Sequence, residues 1–263
     1  MYNFAMRGFS LVELSIVLVI LGLLTGGILG GQSLIRAAEL RSVTTEEQKI
    51  KSAMYAFRDK YFAIPGDMNS AVQFWTSAGG NGRNSACGAA LMASTAGTCN
   101  GDGDGQLSTS GNGLYEYYLM WNHLGRAGLV EGSYPYQNNS ANAVAGTHYL
   151  ASKLGGNIGW ISCYTSRGNY GRGAQNMLLL SKPDWAAGAC SFGNSAGLSA
   201  AEAWNIDKKV DDGLATTGTL TATNSYDGQT DCLTDNFTNE VITSQYELNA
   251  TRKSCHLYFV LGL

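Results

Sequence analysis

Apolar residues dominate the chain from Leu14 to Ile35, and no charged residue interrupts them. At 1.5 Å per residue such a run makes a helix of about 33 Å, long enough to cross the roughly 30 Å hydrocarbon core of a bilayer. Beyond it the pattern changes. Ile50, Met54, Phe57 and Tyr61 recur at helical spacing, while Arg36, Arg41, Glu46, Lys49, Lys51, Arg58 and Lys60 fall largely off that stripe. Glu47 and Lys51 add a favourable i,i+4 pair. No Pro or Gly occurs between Leu34 and Phe62, and Pro65-Gly66 supplies a stop. The pattern predicts one helix from about Ser10 to Phe62, membrane-length in its first half and one-sided in its second.

Glu13 stands alone at the mouth of the apolar run. A carboxylate well inside a membrane helix costs about 2.5–3.5 kcal/mol, so Glu13 is expected to have a function. Three readings compete. A cleaved secretory signal has a shorter apolar centre and a small-x-small cleavage site, which Gly26-Gly27-Ile28-Leu29-Gly30-Gly31 fits poorly. A plain anchor explains the hydrophobicity but not the placing of Glu13 five residues after Gly8. The third reading is an assembly helix.

The stretch Arg7-Gly8-Phe9-Ser10-Leu11-Val12-Glu13 resembles the processing signal of type IV pilins and type II secretion pseudopilins. The resemblance implies cleavage after Gly8 by a prepilin peptidase, methylation of the new amino group of Phe9, and a role for Glu13 in meeting the N-terminal amine of a neighbouring subunit. Pairing is the usual way to keep charge in low dielectric. Many pilins carry a Gly fourteen residues into the mature chain, matched here by Gly22, and a Pro eight residues later, where this chain has Gly30. Gly26, Gly27, Gly30 and Gly31 therefore stand where the family's helix loosens, each costing about 0.8–1.0 kcal/mol relative to Ala. Close packing of helices through small residues is the alternative role for them.

After Gly66 about 200 residues remain, enough for one domain with a sizeable core. Asn69–Trp75 reads as a short helix turning Val72 and Trp75 inward, and a Gly- and Ser-rich stretch then runs to Gly113. Leu114–Leu124 reads as a second helix, with its aromatic residues in the core, ended by Gly125 and Gly128. Ser199-Ala-Ala-Glu202 is a capping-box pattern opening a helix with Ala203, Ile206 and Val210 on one face and Gly213 as its stop. Asp207, Lys208, Lys209, Asp211 and Asp212 are expected on its solvated edge, or as a binding cluster. Short strands are expected at 158–163, 177–181, 220–223 and 256–261. The expected fold is α+β: a long N-terminal helix, transmembrane in its first half, on an antiparallel sheet, with a loop-rich disulfide-bonded head and helical insertions. The expected divisions are a leader at 1–8, a membrane and assembly segment at 9–35, an amphipathic half-helix at 36–64 and an extracellular head at 65–263.

Composition narrows the compartment and the partners. Charged residues make up 14% of the chain, Gly is abundant at 34 residues, and the formal net charge is −3, which leaves no basic footprint for nucleic acid. All six cysteines, Cys87, Cys99, Cys163, Cys190, Cys232 and Cys255, follow the apolar run, as expected of disulfides in an oxidising compartment. Six cysteines allow about fifteen pairings; sequential pairing is the simplest, because each bridge then pins one loop. Cys232–Cys255 resembles the C-terminal disulfide loop of many pilins. Zinc or haem is disfavoured, since there is no Cys-x-x-Cys and His123, His148 and His256 are scattered.

Asn100-Gly-Asp102-Gly-Asp104-Gly105-Gln106-Leu107-Ser108 is the candidate ligand site of the head. Oxygen-bearing residues alternate with glycines, and Gly105 sits where a calcium loop makes its sharp turn. Asn100, Asp102, Asp104, Gln106 and Ser108 are the expected donors to a structural calcium. The position that should hold a bidentate Glu is Gly111, so Glu116 is expected to substitute if the chain folds back. A solvated Gly-Asp turn is the competing reading. Gly193-Asn-Ser195-Ala-Gly197, followed by Asp207 and His256, matches a hydrolase nucleophile elbow, but no buried strand leads into it and a separate cap starts the next helix. The chain is therefore read as a non-enzyme: a structural subunit of a type IV pilus-like filament, assembling with copies of itself or related pilins. Prepilin peptidase and inner-membrane assembly machinery are its expected partners. It is expected in the bacterial inner membrane before assembly and at the cell surface afterwards, or in the periplasm if it is a type II secretion pseudopilin. A non-polymerising, membrane-anchored, calcium-binding adhesin is the alternative from another class.

Overall fold

The computed structural model describes residues 10–80, 82, 85–93, 96–108, 114–137, 142–165, 174–182, 196–225, 230–235 and 244–263. Helix α1 runs unbroken over Leu11–Tyr61, about 77 Å at the standard rise. Among the described residues it is the one helix long and apolar enough to cross a membrane. Two regimes divide it. Every large apolar side chain from Leu11 to Ile35 is at least 50% exposed, whereas Val43, Ile50, Met54 and Phe57 are buried in the head. Hydroxyls inside the apolar run are satisfied locally: Thr25 Oγ1 donates to Leu21 O at 2.9 Å and Ser33 Oγ to Gly30 O at 2.8 Å.

The head is built on an antiparallel sheet whose central strand is the last. Strands β1 (Leu150–Ala151), β2 (Gly159–Thr165), β3 (Gln175–Ser181), β4 (Leu198–Ser199), β5 (Leu220–Asn224) and β6 (Lys253–Val260) pair in the order β1-β2-β3-β6. Both β3 and β5 pair with the same stretch of β6, so they occupy its opposite edges, and β4 follows β3 along one of them. Alternation sorts the faces. Trp160, Leu178, Leu180, Leu220, Ala222, Leu257 and Phe259 join the main core with the stripe of α1, while Cys163, Met177, Leu179 and Tyr258 form a smaller cluster. Around the sheet stand α2 (Ala71–Phe74), α3 (Ser85–Ala93), α4 (Glu116–Arg126) and α5 (Ala200–Val210).

Three polar ties fix α1 to the head at intervals along its length. Arg36 Nε donates to Glu202 Oε1 at 2.6 Å. The Glu46 carboxylate accepts from Trp160 Nε1 at 2.9 Å and from Lys153 N at 3.0 Å. Tyr55 Oη donates to Leu261 O at 2.7 Å. The expected Glu47–Lys51 pair forms at 2.5 Å, with Glu47 nearly buried. Two bridges staple the loops, Cys87–Cys99 and Cys232–Cys255, as sequential pairing anticipated. Cys163 is buried with no disulfide partner among the described residues, and Cys190 lies outside them.

Several local expectations need correction. The Gly- and Ser-rich stretch before Gly113 contains α3, whose Ala-rich sequence carries little amphipathic signal. Gly125 does not end α4, which continues to Arg126. Gly213 does not end α5 directly: the cap is Asp211, and Gly213 follows in a turn at φ +77°. Asp207 is not on a solvated edge. It is fully buried, accepting from Tyr246 Oη at 2.7 Å and Gly213 N at 3.3 Å, and burial pushes its carboxyl up to about 6 despite those bonds. Asp211 and Asp212 likewise accept from the backbone N–H groups of Leu220 and Leu214, so the acidic cluster braces a turn.

Helix α1 ends in an unusual way. Phe62 takes the left-handed conformation (φ 52°, ψ 33°) that glycine usually supplies at a helix end, and its ring is 92% exposed. A bulky side chain there costs about 1 kcal/mol and returns no burial. Phe62→Gly is expected to raise the thermal midpoint by a few degrees, a shift corresponding to about 0.5–1 kcal/mol; a lower midpoint in differential scanning calorimetry would show that the ring is needed for stability.

Candidate functional site

Two sites follow from the fold, one at each end of the chemistry the sequence suggested. At the start of α1, Ser10 and Glu13 form a reciprocal capping box. Glu13 Oε2 accepts from Ser10 N at 2.9 Å, and Ser10 Oγ accepts from Val12 N at 3.3 Å. The Glu13 carboxylate is thus folded back over the N-terminal end of the helix, where the dipole also favours negative charge. Gly8 and Phe9 lie outside the described residues. A Cβ built at Gly22, Gly26, Gly27, Gly30 or Gly31 would meet nothing within 4 Å, and the helix is intact through all five. Among the described residues nothing requires glycine there, which leaves what packs against the helix, or its loosening, as the source of any requirement.

The second site lies where three segments converge under the sheet. The turn Pro65-Gly66-Asp67 follows α1, the loop 100–108 crosses it, and Glu116 opens α4. Carboxylate oxygens of Asp67, Asp102, Asp104 and Glu116 all lie within 4.8 Å of one another. Glycines make the convergence possible. A Cβ at Gly66 would lie 2.4 Å from Glu116 O, and one at Gly101 2.4 Å from the Asp67 backbone. Asp67 accepts from Gly103 N (2.7 Å), Asp104 N (3.0 Å) and Gly105 N (2.9 Å). Glu116 accepts from Asp102 N (3.0 Å) and Ser108 N (3.3 Å). The loop is therefore wrapped around two buried carboxylates.

The comparisons with known proteins bear on the first of these sites. The family model for the prokaryotic N-terminal methylation motif matches residues 4–29, the segment that spans the Gly8–Phe9 junction, the capping box and the first turns of the apolar helix. The chain carries the N-terminal signature of type IV pilins and pseudopilins. No curated protein matches the chain, and no solved structure does. The pilin-type signature is thus confined to residues 4–29, and the head is read from its own geometry.

In the head the loop donors divide in a way the spacing did not anticipate. Asp102 and Asp104 reach the cluster, and Glu116 joins it as the fold-back expectation had it. Asn100 turns away, its Oδ1 accepting from Val72 N at 2.9 Å to cap α2. The Gln106 and Ser108 backbone N–H groups donate to Asp104 and Glu116. Asp67 was missed, because it lies far from the loop in sequence and outside the alternating pattern; the turn Pro65-Gly66-Asp67 was the signal that could have flagged it.

Electrostatics mark this cluster as short of positive charge. Burial pushes Asp67 up to about 6 and Glu116 up to about 8, and the neighbouring carboxylates push the same way against the backbone hydrogen bonds. Four hard oxygen-bearing groups in so small a volume fit a hard divalent cation, whose charge would reverse that logic. His123, at the same junction, is held neutral. Its Nδ1 accepts from Gly66 N at 2.9 Å and its Nε2 faces Cys99 O at 2.9 Å, and burial lowers it to about 4. Of the hydrolase-like trio, Asp207 is bound to Tyr246, His256 Nδ1 pairs with Ser181 Oγ at 2.6 Å, and Ser195 lies outside the described residues.

Proposed function

We propose that the chain is a structural subunit of a type IV pilus-like extracellular filament. The observation that carries this reading is the coincidence of a methylation motif at 4–29 with an apolar half-helix that the described residues of the head leave uncovered. The leader 1–8 is removed after Gly8 by prepilin peptidase, Phe9 is methylated, and Phe9–Ile35 holds the subunit in the inner membrane until the assembly machinery passes it into the filament. There, neighbouring copies or related pilins replace lipid around the apolar half-helix. Glu13 meets the amine of a neighbouring Phe9, exchanging its own cap for a charge pair. Pseudopilins of type II secretion share the motif, and a periplasmic pseudopilus is the nearest alternative.

Glu13→Gln separates charge from capping, since Gln also completes a capping box. The expected outcome is mature, N-methylated subunit in the membrane and no incorporation into filaments. Intact residues 1–8 on the wild-type chain by mass spectrometry, or normal assembly of the Gln variant, would refute this reading.

We infer further that Asp67, Asp102, Asp104 and Glu116 hold a structural calcium ion. Its charge would stabilise four carboxylates that burial otherwise disfavours, and so tie the end of α1 to α4. The pH dependence carries a definite sign. Because the folded pKa values of Asp67 and Glu116 lie above those of free carboxylates, the metal-free chain loses stability as pH rises from about 4 to about 8. The lowered pKa of His123 acts in the opposite sense, with stability lost as pH falls from about 6.5 towards about 4. Melts in chelator at about pH 6.5 and about pH 8.5 isolate the first effect, and the midpoint should be lower at the higher pH. Calcium at millimolar concentration should raise it, most at the higher pH; an unchanged midpoint would remove the ion from the account.

A further inference from the structure

Three Asn-x-Ser/Thr tripeptides occur in the chain, at Asn138, Asn236 and Asn249. Asn138 and Asn236 lie outside the described residues, and Asn249 is exposed. The sequence around Asn249 is Glu247-Leu248-Asn249-Ala250-Thr251. With no Pro in the middle place it is a complete acceptor pattern for N-glycosylation, a modification of surface loops in exported domains. Asn249 alone of the three also has a carboxylate two residues before it; Tyr136 and Thr234 hold that place for the others. An acidic residue there is what bacterial oligosaccharyltransferases select, because it meets a cationic side chain beside the groove that takes the acceptor peptide.

The fold presents this pentapeptide as a turn. Ala250 N donates to Glu247 O at 3.0 Å, which puts Leu248 and Asn249 at the tip, and Leu248 is 47% exposed. Thr251, whose hydroxyl completes the acceptor pattern, is exposed as well. The entry to the turn is held firmly. Glu247 N donates to Cys232 O at 2.9 Å, beside the Cys232–Cys255 bridge, and Tyr246 Oη donates to Asp207 at 2.7 Å. The acceptor amide therefore stands out from an anchored base.

Its height on the head is fixed by two polar ties. Arg36, which directly follows the apolar run, donates to Glu202 at 2.6 Å; the other oxygen of that carboxylate accepts from Ser199 N, and Ser199 pairs in register with Lys253. At the other end of β6, Leu261 O accepts from Tyr55 Oη. Strand β6 thus runs beside α1 and starts level with Arg36. The lengths agree: Arg36 to Tyr55 is about 28 Å of helix, and Lys253 to Leu261 about 26 Å of strand. Asn249 shortly precedes Lys253, so it lies within about 14 Å of that level. With the apolar run in a bilayer, the turn sits at the membrane-proximal end of the head, within reach of a membrane enzyme whose sugar donor is itself a lipid.

We propose that Asn249 is an N-glycosylation acceptor, modified on the membrane-anchored subunit from a polyprenyl-diphosphate-linked oligosaccharide. Asn249 Nδ2 attacks C1 of the donor's first sugar. The C1–N bond forms as the C1–O bond to the diphosphate breaks; the polyprenyl diphosphate leaves with the electron pair, and the amide proton passes to a base of the transferase. Glu247 and Thr251 are recognition residues in this step. The proposal rests on the export of the head in the reading above and does not depend on polymerisation.

The test is mass spectrometry of the full chain from the cells that produce it. Trypsin leaves Asn236 and Asn249 on one peptide, 210–252, so electron-transfer fragmentation is used to place the added sugar mass. The expected result is an oligosaccharide on Asn249 of the wild-type chain and none on Asn249→Gln or Thr251→Ala. Occupancy should fall severalfold in Glu247→Gln and be retained in Glu247→Asp; circular dichroism matching wild type shows that each variant has folded. Bare Asn249 on the wild-type chain, sugar confined to Asn138 or Asn236, or full occupancy in Thr251→Ala or Glu247→Gln overturns the proposal. The same spectra read residues 1–8 and Phe9. A processed, methylated chain with bare Asn249 contradicts this proposal alone, and a glycosylated chain with its leader intact contradicts only the filament reading.

Discussion

The uncovered apolar half of α1 is the constraint to which everything else in this molecule answers, because no part of the described head folds back over it. Large side chains from Leu11 to Ile35 are left facing outward along more than 30 Å of helix. At about 1.5–3 kcal/mol for each such side chain buried, the free energy of covering them is on the order of tens of kcal/mol. That exceeds the whole stability of a typical domain. A bilayer or a bundle of similar helices must therefore supply the cover. The carboxylate at the mouth of the segment is folded back over the helix start by its bond to Ser10.

The head is arranged so that this exposed helix projects from a rigid body. Arg36, the first charged residue after the apolar run, is also the first to be tied to the head, through Glu202. Glu46 and Tyr55 repeat the attachment farther along, and between them the stripe Val43, Ile50, Met54 and Phe57 is sealed against the sheet. The far end of the helix enters the most tightly knotted part of the structure, where Phe57 stacks on His123 and the turn carrying Asp67 meets the loop 100–108 and Glu116. The acidic cluster and the Cys87–Cys99 bridge both gather there. Force applied along α1 would be received by this junction, which gives a cation bridging its carboxylates a mechanical meaning as well as a thermodynamic one.

Legibility from sequence followed the range of the interactions. The ends of α1, the capping box at Ser199, the four longer strands and the two bridges now seen could be read because each is set by local periodicity, by a cap or by short-range loop closure. Helix α3 was not legible, since its small residues show no stripe, and neither were the two-residue strands β1 and β4, which exist only because β2 and β6 offer an edge. The carboxylate cluster was half legible. Asp102 and Asp104 stand in an alternating loop, but Asp67 is contributed by a turn more than thirty residues upstream, and Asn100 is claimed by the cap of α2. Asp207 misled for the same reason: its partner, Tyr246, arrives from a distant loop.

The central claim is that the apolar half of α1 is covered by other helices of its own kind in an extracellular filament. Electron cryomicroscopy of filaments sheared from cells producing the full chain tests it directly. The expected map has α1 from Phe9 to Ile35 packed in the filament core, the disulfide-bonded heads outside, and Glu13 within reach of a neighbouring N-terminus. Recovery of the chain only as an unpolymerised membrane protein, or filaments whose cores lack these helices, would contradict it.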